Sequence, residues 1–228
     1  MEKNYPKHLA FIPDGCRRWA KEQGLPVWEG HRKGIEVIED LVMWFIKEYP
    51  TKYITGYGLS IENFNRAKIE LEALSRLYSH HFTRLAEDLR VKENEVRIRV
   101  LGRTDLLPKK IQEGIQKVEE ATKDYDKRFF NIALAYSGRS EIVDAVKNLN
   151  ETGSEVSEES ISKSLYQPDV PEPDMIVRTS EKRVSNFLLW QGAYAELFFV
   201  DKYWPDVARE DISAAMEEFC ERQRRYGV

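Results

Sequence analysis

Two separated stretches of this 228-residue chain carry side chains suited to gripping anions. One is Pro13-Asp14-Gly15-Cys16-Arg17-Arg18-Trp19, after the apolar run His8-Leu9-Ala10-Phe11-Ile12. The other is Arg178-Thr179-Ser180-Glu181-Lys182-Arg183-Val184-Ser185-Asn186-Phe187, which follows Met175-Ile176-Val177. Its arginines and serines are expected in a polar loop between buried elements. A guanidinium stays charged and bonds two oxygens at once, so such a loop suits a phosphate. A single Arg-rich loop is ordinarily solvated surface. Two of them with a carboxylate make a site for diphosphates plus a metal. Asp14 would repel a phosphate unless a cation lay between them. Mg²⁺ meets that need, taking one or two carboxylates and filling its shell with phosphate oxygens and water. Gly15 permits close backbone approach, and the N–H groups after it can open a helix toward the anion.

A third polar stretch, Ser60-Ile61-Glu62-Asn63-Phe64-Asn65-Arg66, offers groups that hold or pass a proton and steady a leaving group. Gly56-Tyr57-Gly58 just before it lacks the third glycine of a dinucleotide fingerprint. His31 lies in Glu29-Gly30-His31-Arg32-Lys33-Gly34, where a lone histidine is more often structural than catalytic. His80 and His81 are adjacent on a helix, face different ways and make poor metal ligands; they are expected at the core edge and on the surface. Glu196 stands among apolar neighbours and needs a metal or an arginine as partner. Arg222, Arg224 and Arg225 precede Tyr226-Gly227-Val228; they complement a helix dipole or fold over an anion. On residue type alone, Asp14 and Asn63 also suit helix capping.

These loops must be held by a framework. Apolar β-type runs at Leu9–Ile12, Tyr53–Leu59, Val96–Leu101, Phe130–Ala135, Asp174–Val177 and Ala195–Val200 alternate with helical patterns. Val96, Ile98 and Val100 alternate with Arg97 and Arg99, which predicts a strand near an edge or half-exposed. Ile35, Ile38, Leu41, Val42, Phe45 and Ile46 make one helical stripe, and Leu71 to Leu89 a longer one. Pro108 opens a helix with Ile111, Ile115 and Val118 inward; Ile142, Val143 and Val146 belong to another; the last runs from about Ala208 to Arg225. Trp44, Phe45, Phe82 and Leu85 are apolar helix residues expected mostly in the core. The reading is an α/β fold: one domain over 1–228, with a mostly parallel central sheet of about six strands covered by helices. Ligands of such sheets bind at the C-terminal strand ends, where Asp14-Gly15, Ser60 to Arg66 and Arg178 to Ser185 fall.

Composition, 42% hydrophobic and 32% charged, marks a folded globular chain. A net charge of -4 gives no overall attraction to nucleic acid, and none is expected as a partner. Cys16 and Cys220 lie too far apart for a CxxC zinc motif and are too few for a disulfide framework. With no apolar run of signal or spanning length, the chain is expected in the cytoplasm, touching a membrane only at its surface.

Taken together the loops resemble the cis-prenyltransferases, the undecaprenyl (polyprenyl) diphosphate synthase family. The likeness runs from His8 to Gly227. It rests on Asp14-Gly15-x-Arg17-Arg18-Trp19-Ala20-Lys21, Gly30-His31-x-x-Gly34, Ser60-x-Glu62-Asn63-Phe64-x-Arg66, Asn131-Ile132-Ala133 and Gly138-Arg139 in the first two-thirds of the chain. It continues through Ile176-Val177-Arg178-Thr179-Ser180, the run from Arg183 to Gln191, Ala193-Tyr194-Ala195-Glu196, Trp204-Pro205-Asp206 and Arg225-Tyr226-Gly227. The resemblance implies an undecaprenyl diphosphate synthase-like fold and Mg²⁺-dependent addition of isopentenyl diphosphate to an allylic prenyl diphosphate, giving a Z double bond. It implies a homodimer, or a heteromer with a homologous subunit. Carried over by motif, Asp14 handles Mg²⁺; Gly15, Cys16, Arg17, Arg18 and Trp19 line the allylic diphosphate. His31, Ser60, Asn63, Phe64 and Arg66 surround the leaving group and the proton transfer. Arg178, Arg183 and Ser185 hold the second diphosphate, Glu196 joins the metal from a facing subunit, and Arg225 with Gly227 closes over the second substrate. The chain departs from the family at Pro13, Cys16, Val27 and Ala67, and its loop between Arg178 and Arg183 is one residue shorter. The Pro13-Asp14-Gly15-x-Arg17-Arg18-Trp19 opening resembles divergent members that couple short prenyl diphosphates irregularly, which is the alternative reading. In the family so resembled, Trp44, Phe45, Phe82 and Leu85 would also suit the wall of a tunnel.

Overall fold

The computed structural model describes residues 3–65 and 68–222; the expected site residues Arg66, Arg225 and Gly227 lie outside them. Six strands form one sheet: β1 His8–Ile12, β2 Tyr53–Ser60, β3 Val96–Leu101, β4 Arg128–Tyr136, β5 Met175–Thr179 and β6 Glu196–Val200. Their order is β3-β4-β2-β1-β5-β6, and every pairing is parallel. The chain starts in the middle of the sheet, builds β2, β4 and β3 on one side, then returns to add β5 and β6 on the other. Such a reversal opens a crevice beyond the C-terminal ends of the strands that flank it, here β2, β1 and β5. The three polar stretches follow those three strands.

The helices are α1 Cys16–Glu22, α2 Val27–Glu48, α3 Lys68–Leu85, α4 Leu89–Glu93, α5 Lys109–Thr122, α6 Gly138–Thr152, α7 Glu158–Ser164 and α8 Arg209–Glu221. Strand alternation divides β1 between two cores. Leu9 and Phe11 join the large cluster with residues of α2, α3, α5 and α8, while Ala10 and Ile12 join a smaller one around Tyr136 and Phe187. β3 is an edge strand, as its alternation predicts.

Several expectations need correction. Arg178 and Thr179 are not loop residues: β5 runs on through them, with Arg178 paired to Ile12 and Phe199 in register. An arginine after an apolar run reads as a loop start, but this one has internal partners that let it stay in the sheet. The long stripe ends at Leu85; Leu89 opens the separate helix α4 and is exposed. On α6 the buried face is Gly138, Glu141, Ala145 and Leu149, and Val143 is exposed.

Beneath the sheet's N-terminal end, His8 is buried. Its Nδ1 donates to the Pro171 carbonyl at 2.6 Å, so Nε2 accepts from Thr55 Oγ1 at 2.7 Å. Asn131 Nδ2 donates to the same hydroxyl at 3.2 Å. Burial lowers the His8 pKa to about 4. Above the ordinary histidine value both folded and unfolded states are neutral there. As pH falls from 6.5 toward 4, only the unfolded chain takes up the proton, and folding loses about 3 kcal/mol. Urea midpoints between pH 7 and pH 4 should therefore fall less in His8→Gln than in the parent; equal slopes would assign the acid sensitivity to other groups.

Candidate active site

Gly15 ends the turn after β1 with φ 99°, and a Cβ there would sit 2.4 Å from Ser180 Oγ. Only glycine fits both constraints. The turn places Asp14 beside the end of β5. Its N–H donates to Thr179 Oγ1 at 2.8 Å, and its carbonyl accepts from the Thr179 hydroxyl at 2.8 Å and the Trp204 N–H at 2.9 Å. The Trp204 indole in turn donates to the Gly34 carbonyl at 2.9 Å. Gly30 and Gly34 lie one turn apart on α2, and a Cβ on either would strike Cys16, at 2.1 Å from its carbonyl oxygen and 2.7 Å from its sulfur. That is the physical content of Gly-His-x-x-Gly: α2 must let the start of α1 lie against it, which brings His31 and Arg17 to one opening.

The Asp14 carboxylate is not a helix cap; Gly15 occupies that position. Instead Asp14 joins a ring of charges. Arg178 Nη2 donates to its Oδ2 at 2.8 Å, and Arg18 Nη2 lies 3.2 Å from its Oδ1. Arg18 Nη1 is also 3.2 Å from Glu181 Oε1, and Glu181 pairs with Arg183. Arg183 Nε donates to Ser185 Oγ at 3.2 Å, and Arg178 Nη1 closes the ring at 2.6 Å from the same hydroxyl while bonding the Arg183 carbonyl at 2.6 Å. Three guanidinium groups against two carboxylates leave the ring one positive charge. Arg178 is 3% exposed, and its Nε has no protein partner.

The loop after β5 is backbone-strained. Ser180, Ser185, Asn186 and Leu188 all take positive φ, 65°, 47°, 63° and 43°. Each costs on the order of 1–3 kcal/mol and persists only where surroundings over-determine it. Asn186 does much of that. Its amide donates to Glu62 Oε1 at 2.9 Å and Ser137 Oγ at 2.8 Å, its carbonyl accepts from Gly138 N–H at 2.8 Å, and its Oδ1 accepts from Arg139 N–H at 3.0 Å. Loops after β2, β4 and β5 are thereby tied together.

From this charged mouth a cavity of about 830 Å³ descends between the sheet and the helices α2 and α3. Asp14, Gly15, Cys16, Arg17, Arg18, His31, Ser60, Asn63, Arg178, Arg183 and Ser185 all line it, so the described polar stretches do converge. Ser60 N–H donates to Asn63 Oδ1 at 3.3 Å. Deeper, the walls turn apolar: Ile35 and Ile38 from α2, Leu74 and Phe82 from α3, Phe130 and Ile132 from β4. Gly56 and Gly58, without side chains, leave this space open on β2. Of the residues suited to a tunnel, Phe82 lines it, whereas Phe45 and Leu85 pack the core and Trp44 packs against Tyr49 with Arg209 over its ring.

Three expected site residues fall elsewhere. Trp19 points away and donates its indole N–H to Asp206 Oδ1 at 2.8 Å. Phe64 packs against the large core. Glu196 begins β6, at the opposite end of the sheet from Asp14, where Arg222 Nη1 meets its Oε2 at 2.6 Å. Two carboxylates not expected from the sequence do belong here. Glu181 closes the ring, and Glu70 Oε1 lies 3.2 Å from His31 Nε2 and 3.6 Å from Arg17 Nε. Among the described residues no cluster of three histidine, cysteine or acidic ligands exists. Asp14 with Glu181 nearby therefore suits a cation that draws the rest of its shell from a bound phosphate and water, as Mg²⁺ does.

A family model described as putative undecaprenyl diphosphate synthase matches residues 12–227. A tritrans,polycis-undecaprenyl-diphosphate synthase (geranylgeranyl-diphosphate specific) of Methanopyrus kandleri is 44% identical, over 99% of this chain and 86% of that protein. An isoprenyl transferase of Thermotoga maritima is 46% identical over 97% of both. Among solved structures, lavandulyl diphosphate synthase from Lavandula x intermedia, in complex with dimethylallyl diphosphate, superposes with a TM-score of 0.93 at 30% identity, covering 98% of this chain and 99% of that one. A probable undecaprenyl diphosphate synthase from Campylobacter jejuni gives 0.83 at 30% identity, over 99% and 100%.

Proposed function

The chain belongs to the undecaprenyl diphosphate synthase family, the cis-prenyltransferases, and from that membership we propose that it condenses isopentenyl diphosphate with an allylic prenyl diphosphate to give a Z-polyprenyl diphosphate. One observation carries the reading: a guanidinium-lined mouth opens directly into an apolar cavity. A prenyl diphosphate has that same polarity, a charged head on an oily tail.

The chemistry follows from what the mouth contains. Ionisation of the allylic C–O bond leaves positive charge on carbon and new negative charge on the departing diphosphate. Arg17 and Arg18 take that diphosphate near α1, and Arg178, Arg183 and Ser185 take that of isopentenyl diphosphate. Donors already fixed in place favour the charge separation without reorganising. Asp14, with Glu181 as the nearby second carboxylate, would hold Mg²⁺, which when bound would offset charge on the diphosphate oxygens. His31, Ser60 and Asn63 stand at the same mouth, where a proton must leave the isopentenyl carbon. Holding the two substrates head to tail supplies much of the remaining rate. Asp14 and Glu181 pair with the guanidinium groups that a diphosphate needs, so binding is an exchange of anions.

Glu196 reaches a metal only from a facing subunit. The exposed Tyr194, Leu197 and Phe199 around β6 give an apolar face for a homodimer or for a homologous partner chain. Among the described residues no helix is long and apolar enough to cross a membrane; a product with a long tail favours work at a membrane surface from the cytoplasmic side.

Incubation with Mg²⁺, isopentenyl diphosphate and each short allylic primer, then dephosphorylation and chromatography, should yield Z-elongated alcohols. The fold match to a lavandulyl diphosphate synthase keeps coupling of two short prenyl diphosphates as a second reading. Products formed from allylic diphosphates alone, with none elongated by isopentenyl diphosphate, would favour that second reading and overturn the first.

A further inference from the structure

Tyr57 lines the cavity, and the proposed reaction gives it no task. Its phenol lies near the Ser60 hydroxyl, Glu62 and Arg178. On β2 the pairing with β4 slips at this point: Tyr57 stands opposite Ala133, Leu59 opposite Leu134 and Ser60 opposite Tyr136. Gly58 is the extra residue on β2, and a Cβ on it would sit 2.7 Å from Leu134 Cδ2. Such an irregularity re-aims side chains. Residues three apart on an unbroken strand point to opposite faces, whereas Tyr57 and Ser60 both line the cavity.

Behind the cavity wall the Tyr57 ring stacks on Phe187, with centroids 4.6 Å apart and planes 12° apart. Tyr136 makes a T-shaped contact with each of them, at 5.9 Å to Tyr57 and 6.0 Å to Phe187. Tyr136 is itself pinned. Its hydroxyl donates to the buried Glu141 carboxylate at 2.5 Å, and its carbonyl accepts from the Tyr57 hydroxyl at 3.4 Å. Rings from β2, β4 and the loop after β5 thus form one block. Phe187 and Tyr136 are fully buried and do not line the cavity; of the three, Tyr57 does.

Phe187 stands two residues after Ser185, between Asn186 and Leu188, which both take positive φ. Asn186 ties the backbone of this loop to its neighbours by hydrogen bonds, and the ring block seats its side chain. Stacked and T-shaped aromatic pairs contribute beyond the area they bury. A ring that served only the core would be sealed on every side. Tyr57 is half-buried, set between the ligand space and the loop whose Arg183 and Ser185 face that space. Burial raises its pKa above the ordinary phenol value, so it stays protonated and takes no proton from a substrate.

We infer that Tyr57 is a positioning residue for the second diphosphate: its ring holds Phe187, and through Phe187 the Arg183–Ser185 segment, in register with Ser60 across the cavity. The inference rests on the prenyl-transfer reading for the identity of that ligand and on the ring geometry for the role.

The test measures KM for isopentenyl diphosphate and for one allylic primer, with Mg²⁺, in the unmodified enzyme, Tyr57→Phe, Tyr57→Leu, Phe187→Leu and Tyr57→Leu/Phe187→Leu. Thermal melts show which variants fold. Either leucine variant should raise KM for isopentenyl diphosphate roughly tenfold, the scale of a lost aromatic pair. KM for the primer should stay within about twofold, as for groups that share no partner. Tyr57→Phe keeps the ring and should match the parent in both. The double variant should be no worse than either single one, because the two rings act through one contact. An unchanged KM for isopentenyl diphosphate in folded Tyr57→Leu overturns the inference, as does an equal rise in both KM values or effects that multiply in the double variant. Tyr57→Phe decides even if no leucine variant folds: a tenfold rise there assigns the effect to the hydroxyl and overturns the role of the ring. Calorimetric binding of each diphosphate to the same proteins needs no turnover. A protein that shows this split in binding yet makes no Z-elongated product would remove the proposed reaction and leave the positioning role standing.

Discussion

Asp14→Asn should lower turnover roughly 10²-fold or more while leaving the fold intact, the scale of loss when one electrostatic group is removed from a transition state. The asparagine oxygen can still accept from Gly15 N–H, which Asp14 Oδ1 does at 2.6 Å, and the backbone bonds to Thr179 and Trp204 do not involve the side chain. Asp14 is 30% exposed on its side chain, so the substitution opens no core cavity. What disappears is the charge proposed to hold a divalent cation against a diphosphate. A second consequence separates this from general damage. With the carboxylate gone, Arg178 no longer has an internal anion to release and Arg18 keeps only Glu181, so a diphosphate presented in chelator should bind the variant more tightly than the parent. Near-parental turnover with Mg²⁺ would take Asp14 out of the reaction, and weaker binding in chelator would show that the ring does not compete with substrate.

That competition is the part of the site that the sequence showed least. Arginines and serines in two loops announced an anion, and the alternation of apolar strands with helical stripes announced a parallel sheet. The placement of β1 between β2 and β5 was not legible, because strand order depends on which crossovers pack and no local pattern encodes it. Glu181 was hidden by its company: a carboxylate in a run with Lys182 and Arg183 reads as solvated charge. Only the fold shows that Arg18, 163 positions earlier in the numbering, completes its pairing. Glu70 was hidden in the same way, as one acid in the first turn of a helix. Trp19 was misplaced for the opposite reason. It belongs to a motif whose other members line the site, but its position on α1 turns it toward Asp206. The glycines were the reverse again. Their spacing was visible on α2, and the structure supplied its meaning as close approach of α1.

Arg178→Met should be the most damaging single change at the mouth, because the buried Arg178 side chain joins the loop after β1 to the loop after β5 through three acceptors at once. One guanidinium serves Asp14 with Nη2, and the Arg183 carbonyl and Ser185 hydroxyl with Nη1. A methionine of similar length fills the space and leaves all three acceptors without this donor. Loss of charge-assisted bonds of this kind costs about 1.5–3 kcal/mol. For a chain of this size, that lowers Tm by about 3–12 °C. The catalytic loss is expected to exceed what instability explains. Arg183, 60% exposed on its side chain, is held by Glu181 and Ser185 and, through its carbonyl, by Arg178, so on the proposed reaction the second diphosphate loses one donor and part of the support of another. A fall in kcat/KM of roughly 10²–10³ is expected, the scale for a preorganised donor in a closed site. Arg178→Lys is the sharper control. A single ammonium keeps the charge but cannot reach Asp14 and Ser185 together in the fork geometry. It should recover much of the melting temperature and little of the kcat/KM. Recovery of both would mean that charge at this position suffices and that the fork linking the two loops contributes nothing to catalysis.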